Sequence, residues 1–393
     1  MTINRRRFLY CSSVALGGSA FMGLPMCFAG SPLATSGPDD IRGQVFRGDA
    51  PPQRWKWSRE ALHYRRLEDD RTQCLICPNR CTLAPGDRSV CRSKVNLEGT
   101  LYTLAYGNPC AVHNDPVEKK PLYHFRPQTK VFSLATTGCN FRCLNCQNWE
   151  ISQARPEDVR FIELFPAQAV AEAAARGSVA IAYTYSEAVT YYEYMRDTAR
   201  LARARGLQNL LISNGYINRD ALEDLCDDLD GANINLKAFS DGIYRKLNGG
   251  TLQPVLETFK TLHRRGVHFE ITTLVVPGYV DDDTMTRAMC DWILEKLGPD
   301  HPLHFTRFVP RYKLNRLPPT PVATLERCRE IALKAGLHYV YVGNVPMHAA
   351  NHTYCHRCGR RVVERLGYHI PGYHLEDGAC KFCGTAIPGR WDA

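Results

Sequence analysis

The feature that most constrains this chain is an alternation of short apolar, β-like runs with longer helical stretches. The β-like runs are expected at 131–136, 179–184, 210–213, 234–238, 269–276, 303–308 and 339–342. The helical stretches, most of which are stopped by a glycine, are expected at 166–176, 189–205, 252–265, 284–297 and 322–335. Strands that alternate with helices form parallel sheets. The pattern predicts an α/β fold, a partial (β/α)6-type barrel, with its chemistry at the carboxyl ends of the strands.

Cysteine is the informative residue type in the composition. The chain has 17 cysteines, and most of them fall into groups of four, three and four. In a chain of 393 residues, dense CxxC spacing indicates metal binding rather than a disulfide framework. The three groups are Cys74, Cys77, Cys81 and Cys91, then Cys139, Cys143 and Cys146, then Cys355, Cys358, Cys380 and Cys383. Four solitary cysteines are expected to be buried as small hydrophobes, namely Cys110, Cys226, Cys290 and Cys328.

The central group, Cys139, Cys143 and Cys146, directly follows the first predicted strand. A [4Fe–4S] cluster usually takes four thiolates, so three close cysteines leave one iron open. An open iron can bind the amino and carboxylate groups of S-adenosylmethionine (SAM), and an electron passed through the cluster then cleaves the sulfonium to give methionine and a 5′-deoxyadenosyl radical. The protein supplies ligation, orientation and shielding. A zinc knuckle and an electron-transfer cluster are the alternatives.

Longer segments around this motif resemble the radical SAM superfamily. They are most similar to its pyruvate-formate-lyase-activating-enzyme-like branch and, within it, to the radical SAM member of the AmmeMemoRadiSam system. The matching segments lie between residues 71 and 391, at 115–125, 146–153, 214–216, 307–308, 310, 312, 318–321 and 340–346. The resemblance implies a radical SAM barrel that binds SAM and a [4Fe–4S] cluster. It also implies an electron donor protein, with AMMECR-like and Memo-like proteins as candidate partners.

The resemblance also assigns residues to the SAM site. Glu187 stands where the superfamily has a glutamate that contacts the SAM amino group. The other residues placed at the cofactor are Ser213, Asn214, Asn235, Lys237 and Arg307. Each has a structural alternative: Glu187 as a helix N-terminal carboxylate, the segment 213–215 as a plain turn, and Arg307 in a surface salt bridge. No catalytic residue is assigned.

Three departures from the superfamily pattern matter. Asn145 precedes the third cysteine, where an aromatic residue is usual. Tyr185-Ser186 replaces two glycines before Glu187, and Asn235 replaces an aspartate. These departures put in question the adenine contact at Asn145, and any cation and the activase analogy at Asn235.

The last group of cysteines has the spacing of a zinc ribbon. Cys355-x2-Cys358 and Cys380-x2-Cys383 are each followed by a glycine, which is typical of a closed, tetrahedral four-cysteine site for zinc. Rubredoxin-like iron and free thiols are the alternatives. This predicts a zinc-ribbon-like C-terminal unit at 349–393.

The first group, Cys74-x2-Cys77-x3-Cys81-x9-Cys91, belongs to an N-terminal four-cysteine unit at 71–128. It is expected to bind a second zinc ion or an auxiliary [4Fe–4S] cluster. The spacing does not decide between the two metals, and zinc is slightly favoured. Unligated thiols are the remaining alternative.

The beginning of the chain resembles a twin-arginine export signal. Arg5, Arg6 and Arg7 precede Phe8-Leu9, and a glycine-rich apolar run too short for a transmembrane span follows. This predicts a signal at 1–29, a linker at 30–70, the radical SAM barrel at 129–348, and a periplasmic or membrane-associated protein. A cytoplasmic protein with a retained leader is the alternative, because SAM is supplied in the cytoplasm.

Charge and motifs leave two competing functions. The net charge of +9 is spread thinly, which is typical of a solvated surface, so nucleic acid is not expected as a partner. One competing class is an iron–sulfur redox carrier without SAM chemistry, which needs no full barrel. The other is a radical SAM enzyme that acts on RNA. The leading prediction is a radical SAM enzyme that abstracts hydrogen from a protein or small-molecule substrate.

Overall fold

The computed structural model describes residues 40–391, so the predicted signal at 1–29 lies outside the described residues. The first part of the described chain forms two small antiparallel sheets. Their strands are β1 (Arg59–Glu60), β2 (Tyr64–Arg66), β3 (Thr72–Cys74), β4 (Thr82–Leu83), β5 (Lys94–Leu97) and β6 (Thr100–Thr103). Strand β6 lies between β1 and β5, and β3 lies between β2 and β4.

Part of the segment predicted as a linker, 30–70, is folded into this region, which corrects the expectation. Strand β1 pairs with β6 and β2 pairs with β3. The backbones of Phe46 and Arg88 exchange two hydrogen bonds of 2.8 Å. Local composition rich in glycine, proline and charge suggested a linker, but pairing with strands far along the chain overrides local preference. The folded N-terminal region therefore begins well before residue 71.

One eight-stranded sheet forms the centre of the protein. Its strands are β7 (Ala111–Pro116), β8 (Lys130–Ala135), β9 (Ala180–Tyr183), β10 (Gln208–Ser213), β11 (Gly231–Asn235), β12 (His268–Val275), β13 (Leu303–Arg307) and β14 (Val340–Gly343). Each strand lies beside its neighbours in the sequence, so that the order across the sheet is β14-β13-β12-β11-β10-β9-β8-β7. Neighbours from β8 to β14 are parallel, and β7 is antiparallel to β8. The fold is thus mixed α/β with a mostly parallel central sheet, as predicted.

Helices connect the parallel strands. They are α1 (Trp149–Ser152), α2 (Pro166–Ala175), α3 (Tyr192–Ala204), α4 (Arg219–Cys226), α5 (Asp241–Ile243), α6 (Gln253–Arg264), α7 (Asp283–Leu297) and α8 (Val322–Ala335). Helix α3 buries an i, i+3, i+7 stripe that includes Tyr192, Met195 and Ala199, which is the pattern of a helix packed on a core. Between residues 40 and 391, no helix is long and apolar enough to cross a membrane.

Alternate side chains of the central strands divide the core in two, because successive residues of a strand point to opposite faces. One set packs with the helices and includes Phe132, Ile181 and Leu211. The other set packs against the segment that precedes β8. Its members are Val131, Ala180, Ala182 and Leu210, in contact with Val117, Leu122 and Phe125. The inner face of the sheet is therefore filled by residues 117–125.

The C-terminal region carries five short strands in two small sheets. They are β15 (Thr353–Tyr354), β16 (Arg361–Leu366), β17 (His369–Tyr373), β18 (Leu375–Glu376) and β19 (Ala379–Cys380). Tyr339 and Tyr341, at β14, share a hydrophobic cluster with Val362, Val363 and Ile370 of this region. The C-terminal region thus packs directly on the edge strand of the central sheet.

Candidate active site and metal centres

The central cysteine group lies at the carboxyl end of the sheet, just after β8. Gly138, which precedes the first cysteine, has a φ of +101°. A Cβ at this position would lie 2.5 Å from the carbonyl oxygen of Cys91. Only glycine meets both conditions without a shift of the backbone. The start of the cysteine loop is therefore built against the N-terminal four-cysteine set.

The thiols of Cys139, Cys143 and Cys146 are partly buried, and their charges act on one another. The Cys139 sulfur accepts a hydrogen bond from the Phe141 N–H at 3.3 Å, and the Cys143 sulfur accepts one from Asn248 Nδ2 at 3.2 Å. Burial raises the pKa of all three thiols, and that of Cys146 reaches about 11. A metal bound here must displace their protons, since the thiolate is the ligand.

Glu187 is buried and ties the loop after β9 to the end of β10. Its Oε1 accepts hydrogen bonds from Ser213 Oγ at 2.6 Å and the Val189 N–H at 3.2 Å, and its Oε2 accepts one from the Asn214 N–H at 2.8 Å. Burial raises the pKa of Glu187, and these hydrogen bonds offset part of that rise. The carboxylate also caps the short 3-10 helix Ala188–Tyr191. The helix-terminal role expected as an alternative is thus present, and the SAM contact stays a prediction.

The other predicted SAM residues of β10 and β11 lie beside it. Asn214 donates to Asn140 Oδ1 at 2.8 Å and lies 3.9 Å from the Cys139 sulfur. Lys237 Nζ donates to Asn235 Oδ1 at 2.8 Å, and its charge acts on both Cys143 and Glu187. Asn214 Oδ1 also accepts the Tyr216 N–H at 2.9 Å, so the segment forms a local turn as well.

Arg307 stands apart from this group. It ends β13, and its Nε donates to the Thr320 carbonyl at 2.8 Å. Within the part of the chain that the structure describes, it has no ion pair, so the surface salt bridge offered as its alternative is absent there. Among residues 40–391, its terminal nitrogens have no hydrogen-bond partner.

A buried cluster that sequence reasoning did not identify supports the loop before Glu187. Tyr185 stands at one of the replaced glycines and has a φ of +63°, a strained value for a non-glycine residue. Its hydroxyl donates to Asp115, and Lys120 Nζ lies 4.4 Å from its ring centroid. Lys120 also pairs with Asp115 at 2.8 Å, and burial lowers the pKa of Lys120 to about 8 despite that carboxylate. The charged run at 115–120 was the available signal.

The C-terminal cysteines form a compact donor set. The sulfurs of Cys355, Cys358, Cys380 and Cys383 all lie within 4.8 Å of one another. The distance is 3.6 Å from Cys355 to Cys383 and 3.8 Å from Cys358 to Cys380. Four sulfurs about 2.3 Å from one tetrahedral ion stand about 3.8 Å apart. This set therefore fits a single metal ion.

The N-terminal cysteines also come together. The charges of Cys74, Cys81 and Cys91 all act on Cys77, and burial is the main cause that raises the pKa of Cys74 and Cys81 to about 12. The solitary cysteines behave largely as expected, because Cys226, Cys290 and Cys328 are buried, although Cys110 is partly exposed.

Comparison with known proteins agrees with this arrangement. Residues 133–288 match the model of the Radical SAM superfamily. An uncharacterised protein of Methanocaldococcus jannaschii is 44% identical over 331 residues, which cover 84% of this chain and 98% of that protein. The pyruvate formate-lyase 1-activating enzyme of Escherichia coli is 29% identical over 216 residues, which cover 51% of this chain and 87% of that enzyme.

Among solved structures, that of Streptococcus suis SuiB bound to S-adenosylmethionine has a TM-score of 0.43 and 11% identity, and the match covers 58% of this chain and 53% of that one. The family match and the relatives suffice without it: the chain belongs to the radical SAM superfamily. Membership implies a [4Fe–4S] cluster, SAM and SAM-dependent radical chemistry. Neither the redox carrier nor the RNA-directed enzyme is favoured by these matches.

Proposed function

We propose that this protein generates a 5′-deoxyadenosyl radical and uses it to abstract hydrogen from a protein or small-molecule substrate. One observation carries the proposal. Three thiols, a buried carboxylate and an ammonium group converge at the carboxyl edge of a parallel sheet: Cys139, Cys143, Cys146, Glu187 and Lys237. That edge is where open α/β sheets and barrels place their chemistry.

The residues of this site suit an iron–sulfur cluster. Three soft sulfur donors, two of which accept N–H hydrogen bonds, match the ligand set and the hydrogen bonding of such clusters. The ammonium of Lys237 lies where it offsets the negative charge of thiolates on Cys143 and Cys146. A cluster held by these cysteines would offer an open iron to SAM and would pass on an electron from a donor protein for cleavage of the C–S bond.

The surrounding polar groups suit the amino-acid part of SAM. Glu187 Oε2 accepts a single hydrogen bond, and an ionised carboxylate oxygen has room for two, so we assign it the SAM ammonium. The free terminal nitrogens of Arg307 suit the SAM carboxylate or a substrate anion. Ser213, Asn214 and Asn235 hold the loops around this site through their hydrogen bonds.

Further elements complete the proposal. Within the superfamily, the segments at 115–125 and 340–346 support a place in the AmmeMemoRadiSam system, with an electron donor, an AMMECR-like and a Memo-like protein as partners. We assign the central sheet to a partial (β/α)6 barrel and the C-terminal donor set to a zinc ribbon. Export through the signal at 1–29 remains a prediction, with a cytoplasmic protein as the alternative.

The test is SAM cleavage by anaerobically reconstituted protein under a strong reductant. The wild type should form 5′-deoxyadenosine and methionine, and Cys143→Ala should form neither, because thiolate ligation holds the cluster. Cys328→Ala, which changes a solitary buried cysteine in α8, is the matched control and should retain turnover. Unchanged SAM cleavage by Cys143→Ala would contradict the proposal.

A further inference from the structure

We infer that Cys74, Cys77, Cys81 and Cys91 hold a second [4Fe–4S] cluster, beside the first, rather than a zinc ion. This goes beyond the proposed function and does not require SAM chemistry at the central cysteines. It rests on the distances between sulfurs, on the contacts between the two cysteine loops, and on two arginines that lie between them.

The sulfur spacing separates the three cysteine groups. Across the described range 40–391, the C-terminal set is the only group of three or more cysteine, histidine or acidic residues whose donor atoms all lie within 4.8 Å of one another. Four sulfurs on one ion must be that close. On a [4Fe–4S] cube each sulfur binds a different iron, so the sulfurs stand farther apart. Neither the N-terminal set nor the central group has its sulfurs this close together. The central group is the expected site of a [4Fe–4S] cluster, so it serves as the reference for the spacing of the N-terminal set.

The wider spacing is not a failure of the N-terminal set to assemble. All four thiols act on one another electrostatically. The backbone at Ile76 and at Asn79 lowers the pKa of the Cys74 and Cys77 thiols, against the rise that burial causes. The Cys91 sulfur lies 3.1 Å from Ser89 Oγ and 3.2 Å from Ser93 Oγ. The Ser93 hydroxyl donates to the Thr190 carbonyl at 2.8 Å, so Ser89 is the hydroxyl free to donate to a Cys91 thiolate, and such a hydrogen bond would stabilise a cluster ligand.

The loops of the two groups are in direct contact. The Cys91 carbonyl lies against Gly138, where a Cβ would be only 2.5 Å away. Asn79 Nδ2 donates to the Asn140 carbonyl at 2.8 Å. Because the two cysteine loops are in contact, metals bound at the two sites would lie close together.

Two arginines lie between the groups without an acidic partner. The guanidinium groups of Arg92 and Arg142 lie 5.2 and 5.6 Å from the ring centroid of Phe46, and no carboxylate of residues 40–391 pairs with either. Arg92 Nη1 and Arg142 Nε are buried without a hydrogen-bond partner. The thiols of Cys91 and Cys139 both act on Arg92. Both arginines are half-buried, and thiolate-ligated clusters on either side would supply the negative charge that these unpaired guanidinium nitrogens favour.

The test removes the first cluster and asks what remains. The variant Cys139→Ala/Cys143→Ala/Cys146→Ala, reconstituted anaerobically with iron and sulfide, should retain about four iron and about four sulfide per chain. Its visible absorption should bleach on reduction, and SAM should not alter the electron paramagnetic resonance (EPR) spectrum of the reduced protein. A colourless variant that holds a second zinc ion would overturn the inference.

A reciprocal variant keeps the inference testable if the triple variant does not fold. Cys77→Ala/Cys81→Ala should lose about half of the wild-type iron and keep an EPR spectrum that responds to SAM. Cys358→Ala is the matched control and should lose zinc but no iron. Full iron content in Cys77→Ala/Cys81→Ala would contradict the inference. Failure of the proposed function looks different, since the wild type would then not cleave SAM while the triple variant still held iron.

Discussion

The two four-cysteine sets lie at opposite ends of the central sheet. The N-terminal set is at the carboxyl end, where Asn218, in the loop after β10, donates its N–H to the Ile76 carbonyl at 2.9 Å. The C-terminal region is anchored at the amino end, where Arg390 donates its N–H to the His124 carbonyl at 2.7 Å and Arg126 reaches Gln208, the first residue of β10. Similar CxxC motifs therefore lie at different ends of one fold, the first beside the central cysteines and the second at the amino end of the sheet.

A buried polar network joins the C-terminal region to the sheet. The Glu270 carboxylate accepts hydrogen bonds from the His124 N–H at 2.7 Å and from His304 Nε2 at 2.6 Å. Burial raises the pKa of Glu270, but the bonds from His268 and His304 outweigh it and hold the pKa below the usual range. Arg365 donates to the Tyr123 carbonyl at 2.7 Å and to Thr353 Oγ1 at 2.7 Å. Loss of a metal bound by the C-terminal cysteines should therefore also lower the stability of the central sheet.

The largest expected effect is that of Cys380→Ser. Loss of one of four ligands should release one zinc ion and lower the free energy of unfolding by several kcal/mol, on the order of a structural zinc site, because metal binding here is coupled to folding. Thermal unfolding and zinc content check this. Iron content and the response to SAM should not change in protein kept folded at low temperature. Lost SAM cleavage at full stability would mean that the C-terminal site takes part in turnover.

Arg365→Met should have the next largest effect. The Arg365 side chain is fully buried, and its removal strips hydrogen bonds from Tyr123 and Thr353 and takes a compensating charge away from Glu118. Breaking a buried charged network typically costs about 3 kcal/mol. Denaturant unfolding should show this loss with zinc and iron content unchanged. Arg361→Met, at an exposed position of the same strand, is the control, and equal stability of both variants would show that the network does not anchor the C-terminal region.

Acidification should weaken the same anchor. Burial lowers the pKa of His124 to about 3, with Glu270, Arg365 and His268 facing it. The unfolded chain binds this proton near pH 6.5 and the folded chain does not until about pH 3. Stability should thus fall as the pH drops between these values, by up to about 1.4 kcal/mol per pH unit. His124→Asn should flatten this slope and the exposed His369→Asn should not, as followed by unfolding at several pH values.

Arg92→Gln should have the smallest effect, confined to the carboxyl end. Loss of a cation near Cys91 and Cys139 makes addition of an electron less favourable, so the midpoint potentials of the clusters should become more negative by tens of millivolts. About 59 mV corresponds to a tenfold change for one electron. Potentiometric titration measures the shift, with the exposed Arg71→Gln as control. An unchanged midpoint potential would show that the charge of Arg92 does not act on the clusters.

Elements with strong local signals could be predicted from the sequence. Helix α8 was expected at 322–335 and is found at Val322–Ala335, since a proline-rich segment precedes it and Gly336, with a φ of +114°, ends it. Strand β11 was expected at 234–238 but is Gly231–Asn235, because Leu236 and Ala238 are buried in the loop beyond it. Strand β7 and helix α4 were not predicted, since β7 is polar and exists through its pairing with β8.

The candidate site shows the same limit of prediction from sequence. Cysteine spacing identified all three groups, but the distance between sulfurs is set by packing between segments far apart in the chain, so the spacing left zinc and iron–sulfur open at the first group. The strained backbone of Tyr185 depends on Asp115 and Lys120, seventy and sixty-five residues away in the chain. Contacts between residues so far apart in the chain cannot be predicted from local sequence patterns.

The most direct single measurement is the EPR spectrum of reduced, reconstituted wild-type protein recorded with and without SAM. A cluster with an open iron beside a fully ligated second cluster should give two components, of which SAM changes one and leaves the other unaltered. The changed component should disappear in Cys143→Ala and the unaltered one should remain. A spectrum that does not respond to SAM would contradict radical SAM chemistry at Cys139, Cys143 and Cys146.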